Sequence, residues 1–167
     1  MDRVAAECVG DCAVTLHFAY GANMSRAVMR KYAPGARPVG VAKLPGFRFI
    51  ITADGYGSIE PARARSVHGV LWRLTPRDVV SLHAWENIER GLYRAERLAV
   101  RRAGRRMPAL VYVARPRRGG RPKPGYMELV IAAAQEWELP ADYIRSLQSW
   151  MPKRALASEA HKLGEFR

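Results

Sequence analysis

The spacing of apolar and polar positions divides the chain into short, distinct elements. Residues 13–20, Ala-Val-Thr-Leu-His-Phe-Ala-Tyr, are rich in β-branched and aromatic side chains, end at Gly21, and predict a buried first strand. A short helical pattern then opens at Asn23-Met24-Ser25, places Met24, Ala27, Val28 and Met29 on one face, and stops before Pro34. Extended segments are expected over 39–44 and 47–52, separated by the Pro45-Gly46 turn signal. Residues 54–58, Asp-Gly-Tyr-Gly-Ser, read as a loop held close to other backbone. Residues 67–74 read as a strand in which Gly69 marks a close approach.

Thr75-Pro76-Arg77-Asp78 is a strong helix start, with Thr as N-cap, Pro at the first position and Asp in the first turn. Val79, Leu82 and Trp85-Glu86 follow at helical spacing, and Asn87 is suited to the left-handed conformation that ends a helix. Strands over 92–102 and 107–114 would pair across Ala103-Gly104-Arg105-Arg106, and a Pro/Gly-rich loop occupies 115–125. Met127, Val130, Ile131, Ala134 and Trp137 predict a helix over 126–138, and a shorter one begins beyond Pro140. From Lys153 onward the chain is polar without a core face and reads as a tail. No internal repeat is visible. The pattern predicts one α+β domain with its core over about 13–152 and a mainly antiparallel or mixed sheet. It lacks the regular βαβ alternation of a doubly wound fold.

Composition narrows the class. A chain of 167 residues, 49% hydrophobic, is large enough for one core and is not disordered in bulk. No apolar run approaches the roughly 18 residues of a membrane span. The segment Met1-Asp2-Arg3-Val4-Ala5-Ala6-Glu7-Cys8 lacks an apolar signal core, so a cytoplasmic location is expected. Cys8 and Cys12 have no second pair to complete a zinc site, and His17, His68, His83 and His161 show no metal-ligand spacing. Neither a Gly-x-Ser-x-Gly turn nor a Gly-Lys-Thr phosphate loop occurs. The 28 Lys+Arg against 15 Asp+Glu give a net charge of +13. Much of the surplus lies over 94–123, where Arg94, Arg97, Arg101, Arg102, Arg105, Arg106, Arg115, Arg117, Arg118, Arg121 and Lys123 occur. That stretch reads either as a solvated basic face or as a binding surface for an acidic partner or nucleic acid.

Two places could carry chemistry. Tyr20-Gly21-Ala22-Asn23 joins a buried strand to a helix start, where glycine lets backbone N–H groups turn toward a carboxylate or an oxyanion. Glu86 ends a helix beside apolar Leu82 and Trp85, an environment that raises a carboxyl pKa and suits a general acid/base. The same spacing also fits a surface glutamate paired with an arginine. Glu60, Glu89 and Glu96 lie in loop or solvent-facing contexts, and Tyr93 and Tyr126 flank glycines and could project into a pocket or into the core.

Phe18-Ala19-Tyr20-Gly21-Ala22-Asn23-Met24 resembles the F-x-Y-G-S-N-[LM] signature of the γ-glutamylcyclotransferase-like (AIG2-like) family. Three further segments resemble the family in order: Val67-His68-Gly69-Val70-Leu71-Trp72; Leu82-His83-Ala84-Trp85-Glu86-Asn87 with Gly91-Leu92-Tyr93; and Pro124-Gly125-Tyr126 with Glu138-Leu139-Pro140-Ala141-Asp142-Tyr143. The resemblance spans about residues 15–150. It implies a closed mixed β-barrel of about six strands with flanking helices, no cofactor, and cyclisation of a small γ-glutamyl amino acid or amine to 5-oxoproline. Glu86 would be the catalytic acid/base. Tyr20, Gly21, Ala22, Asn23, Tyr93 and Tyr126 would bind substrate, with Asn23 bracing the loop. Ala22 stands where the family has Ser, Asn87 where it has Gly, and His83 where it has Asp. The Arg-rich loops around 54–65 and 115–125 hint at an acidic or carboxylate-bearing leaving group. The alternative is a catalytically idle barrel binding an acidic partner or nucleic acid through the 94–123 arginines. No membrane partner is expected, and the sequence leaves monomer and homodimer open.

Overall fold

The computed structural model describes residues 14–115 and 119–152. Cys8, Cys12, His161, Arg117, Arg118 and the tail from Lys153 lie outside these. Five strands, β1 (Thr15–Ala19), β2 (Arg37–Ile51), β3 (Gly57–Leu74), β4 (Tyr93–Arg102) and β5 (Arg105–Ala114), form a closed barrel in the order β1-β3-β2-β4-β5. Neighbours are antiparallel except where β1 meets β5 in parallel, His17 opposite Leu110, and closes the barrel. Four helices flank it: α1 (Arg26–Tyr32), α2 (Pro76–Trp85), α3 (Tyr126–Glu136) and α4 (Ala141–Gln148), with a 3-10 turn over Ala22–Met24 before α1. Among the described residues no helix is long and apolar enough to cross a membrane.

The barrel has five strands rather than about six because the two segments expected over 39–44 and 47–52 are one. Pro45-Gly46 makes no turn. The register against β3 shifts between Pro45 and Phe47, and Gly46 absorbs the irregularity with φ +81°. The far end of the ribbon also differs from expectation. Residues 57–65 belong to β3 rather than to a loop, and their sequence hid this because Pro61, Arg63, Ala64 and Arg65 are solvent-exposed.

Other local signals hold. Ala103 and Gly104 take φ +48° and +75°, the two left-handed residues of a tight hairpin turn between β4 and β5. A Cβ on Gly69 would stand 2.2 Å from the carbonyl oxygen of Ala19, so only glycine lets β3 approach β1 this closely. Thr75 and Asp78 form a capping box at the start of α2, and buried Asp78 also accepts from the Gly35 amide at 3.0 Å. That carboxylate ties the turn after α1 to the start of α2. Further along, Trp85 stacks on Tyr32 with centroids 4.4 Å apart.

The core is continuous from strands to helices. Phe18, Leu44, Val70, Leu71, Val100 and Val111 are buried from the barrel side, and Met24, Met29, Leu82, Met127, Val130 and Leu147 from the helices. Trp137 donates its indole N–H to the Met24 carbonyl at 2.8 Å, holding the end of α3 on the 3-10 turn.

Candidate active site

The loop at 20–23 leaves β1 and enters the 3-10 turn, where the amides of Met24 and Ser25 bond back to the carbonyls of Gly21 and Ala22. Glu86 terminates α2. Its amide completes the helix on Leu82, and the chain then reverses through Asn87 at φ +51°, as the left-handed reading expects. These two chain ends meet across a cavity of about 420 Å³, in the size range of small-ligand sites. Tyr20, Gly21, Ala22, Asn23, Glu86, Tyr93 and Tyr126 all line it, so residues more than a hundred positions apart share one wall.

The Glu86 carboxylate accepts a 2.8 Å hydrogen bond from the Asn23 side-chain amide. Burial pushes its pKa up to about 7, against the smaller opposing pull of the Asn23 donor. No Lys or Arg is among the described residues lining the cavity, and none of the described ion pairs involves Glu86. The surface ion pair that the spacing also allowed is thus replaced by a neutral partner. Asn23 grips the carboxylate as well as sitting in the loop, and its Oδ1 is buried without a partner. Glu60 and Glu96 instead lie on strands beside Arg48 and Arg94, and Glu89 is exposed in the turn after α2.

The tyrosines are oriented by backbone. Tyr93 donates its hydroxyl to the Gly57 carbonyl at 2.8 Å, and the Gly57 amide donates to the Tyr126 hydroxyl at 2.9 Å. Tyr93 therefore keeps lone pairs free, whereas Tyr126 keeps its hydrogen free. Two glycines make room for this arrangement. A Cβ on Gly21 would stand 2.8 Å from the Tyr126 oxygen, and one on Gly57 2.6 Å from the same atom. Tyr20 donates to the Tyr112 carbonyl, so its hydroxyl braces the wall. Burial first, and the Glu86 charge among lesser causes, raises the pKa values of Tyr20, Tyr93, Tyr112 and Tyr126, which stay neutral phenols.

Several lining residues carried no functional signal in the sequence. His17 bonds the Leu110 carbonyl through Nδ1 at 3.0 Å, which places the hydrogen there and leaves Nε2 as an acceptor. Burial lowers its pKa to about 4. Among the described residues that Nε2 and the Tyr112 hydroxyl have no partner, and His83, behind the lining, packs edge-on against the Tyr112 ring. In sequence these residues look like ordinary strand and helix interior. Tyr56, Leu92 and Leu129 also line the cavity; in sequence Tyr56 sits in a Gly-rich loop, Leu92 at a strand start, and Leu129 among the apolar residues of the α3 helix. Among the described residues no cluster of His, Cys, Asp and Glu could hold a metal ion.

A closed mixed barrel with one neutral-partnered carboxylate in a side cavity defines the class of this protein structurally. A model of the "AIG2-like family" matches residues 66–147. The γ-glutamylcyclotransferase of Mus musculus is 26% identical over 148 residues, covering 82% of this chain and 79% of the relative. That of Homo sapiens is 24% identical over the same span. A solved structure of a γ-glutamyl cyclotransferase superposes with a TM-score of 0.78 at 23% identity, covering 84% of this chain and 89% of that one. Over residues 66–147 in sequence, and over most of its fold, the chain is similar to the γ-glutamylcyclotransferase-like (AIG2-like) proteins.

Proposed function

We propose that the protein is a γ-glutamylcyclotransferase that converts a small γ-glutamyl amide to 5-oxoproline and a free amine, with Glu86 as general acid/base. The observation that carries this reading is a largely desolvated carboxyl, pushed up to a pKa of about 7, with no Lys or Arg among the described residues lining its cavity. Such a group can both take and return a proton near neutral pH. The sequence relatives, themselves γ-glutamylcyclotransferases, favour it over an idle basic barrel.

The reaction needs little beyond positioning and proton transfer. The α-amine and the γ-carbonyl belong to one molecule, so holding it folded gives a high effective molarity. The amine nitrogen attacks the carbonyl carbon, and a C–N bond forms as Glu86 removes the amine proton. The oxyanion collapses, the original amide C–N bond breaks, and Glu86 returns the proton to the departing nitrogen. No proton is consumed overall. Tyr126, with its hydrogen free, is suited to donate to the oxyanion or the α-carboxylate, aided by backbone amides of the loop at 20–22. Tyr93, with free lone pairs, is suited to accept from the substrate amine. Ala22 in place of Ser removes a hydroxyl there while keeping the backbone N–H.

The test is release of 5-oxoproline, stoichiometric with free amine, from a panel of γ-glutamyl amino acids, γ-glutamyl amines and glutathione. Turnover of at least one compound is expected. A folded protein silent on the whole panel overturns the reading.

A further inference from the structure

The glutamyl-binding end of the cavity is polar and enclosed, whereas its mouth is of another character. Among the described residues five large apolar side chains are exposed: Val14, Tyr56, Val80, Leu92 and Leu129. Three of them, Tyr56 at 41%, Leu92 at 42% and Leu129 at 37%, line the one cavity that holds Glu86. They come from separate segments, just before β3, just before β4, and within α3. Half-buried Trp85 adds a fourth apolar wall beside Glu86 itself. Tyr56 is set in place by the Tyr126 ring, edge-on at 5.5 Å. Scattered exposed apolar residues need no explanation, but convergence at a pocket mouth marks a surface that is covered when ligand binds.

The direction of the reaction says what covers it. Every bond change in the cyclisation is on the glutamyl side, so that unit must reach Glu86 and the tyrosine hydroxyls. The amine that departs then lies toward the solvent-exposed end. No described Lys or Arg lines the cavity, and that end presents the apolar faces of Tyr56, Leu92 and Leu129, with the Lys123 ammonium 4.7 Å from the centre of the Tyr56 ring.

We infer that the group released by this protein carries an apolar side chain, aromatic or branched aliphatic, packed against Tyr56, Trp85, Leu92 and Leu129. The inference rests on the cyclotransferase reading above.

The experiment compares kcat/KM for γ-glutamyl-phenylalanine and γ-glutamyl-leucine with that for γ-glutamyl-glycine and γ-glutamyl-aspartate. A preference of about tenfold or more for the apolar pair is expected, on the scale of a few methylene groups against an apolar wall. Leu92→Ser and Leu129→Ser should each shrink that ratio toward one. Val80→Ser, exposed but outside the cavity, should leave it as in the wild type. Calorimetric binding of the same four compounds to Glu86→Gln supplies a readout independent of turnover, with tighter binding of the apolar pair expected. Equal or reversed preference, in a protein that does release 5-oxoproline, overturns the inference and leaves the cyclotransferase reading standing. If no compound is turned over, that reading fails instead. Equal affinities in the calorimetry would then overturn the inference as well.

Discussion

The glutamates outside the barrel and the glutamate inside the cavity keep opposite company. Glu60 is bonded by Arg48 at 2.6 Å, Glu136 by Arg26 at 2.8 Å, and Glu96 lies against Arg94. Glu86 is held at the same 2.8 Å by the neutral amide of Asn23. Glu89, Glu128 and Glu138 enter no ion pair among the described residues, so the basic surplus does not pair every acid. No described Lys or Arg lines the cavity, and what sets Glu86 apart from the outer glutamates is its desolvation beside a neutral partner. The outer pairs are solvent-screened and contribute little. The inner carboxylate is desolvated with only the Asn23 amide in compensation, a cost to the fold that would give a pKa suited to proton transfer. The net charge of +13 describes the outer surface and says nothing about the site.

The comparison breaks most sharply at Glu86. Glu86→Gln keeps the size and the contact with Asn23 but cannot carry a proton, so turnover should fall about 10²–10⁴-fold in the 5-oxoproline assay. The same variant should reveal the desolvation cost. The folded pKa of Glu86, about 7, lies above the ordinary 4.5, so between those values the unfolded chain has lost a proton that the folded chain retains. Wild-type stability from this group is therefore full below pH 4.5 and declines as pH rises toward 7. The stability of Glu86→Gln relative to wild type should accordingly rise from pH 4.5 to pH 8, by on the order of 2 kcal/mol in urea melts. A flat difference would mean that the carboxyl is not desolvated.

A smaller effect is expected at Asn23. Its hydrogen bond favours the charged carboxylate, so Asn23→Ala should move the acid limb of kcat/KM upward by about one pH unit. An unmoved limb would separate Asn23 from the titration of Glu86. The smallest effect belongs to the outside. Arg48→Ala should change stability by less than about 1 kcal/mol and leave the pH profile where it was.

Much of this fold was legible because local chemistry and tertiary need agree. The Thr75–Asp78 cap, the Ala103-Gly104 turn, the close approach at Gly69 and the left-handed Asn87 each follow from one or two residues. The continuity of β2 was hidden because Pro45-Gly46 is a turn signal that the pairing strand overrides as a bulge. Glu86 and the loop at 20–23 were visible as candidates, but their meeting is a tertiary fact. Tyr112 and His17 look like core positions in strands, and only the barrel turns them onto the cavity. Leu92 and Leu129 were invisible for other reasons, since Leu92 reads as a strand start and Leu129 is one apolar residue among several on α3, off its buried face.

The most direct measurement is the titration of the Glu86 carboxyl by carbon-13 NMR, assigned by comparison with Glu86→Gln. The account predicts a midpoint near 7, well separated from the surface glutamates. A midpoint near the ordinary 4.5 would contradict it, because the carboxylate would then be solvated or paired and a poor proton carrier at neutral pH.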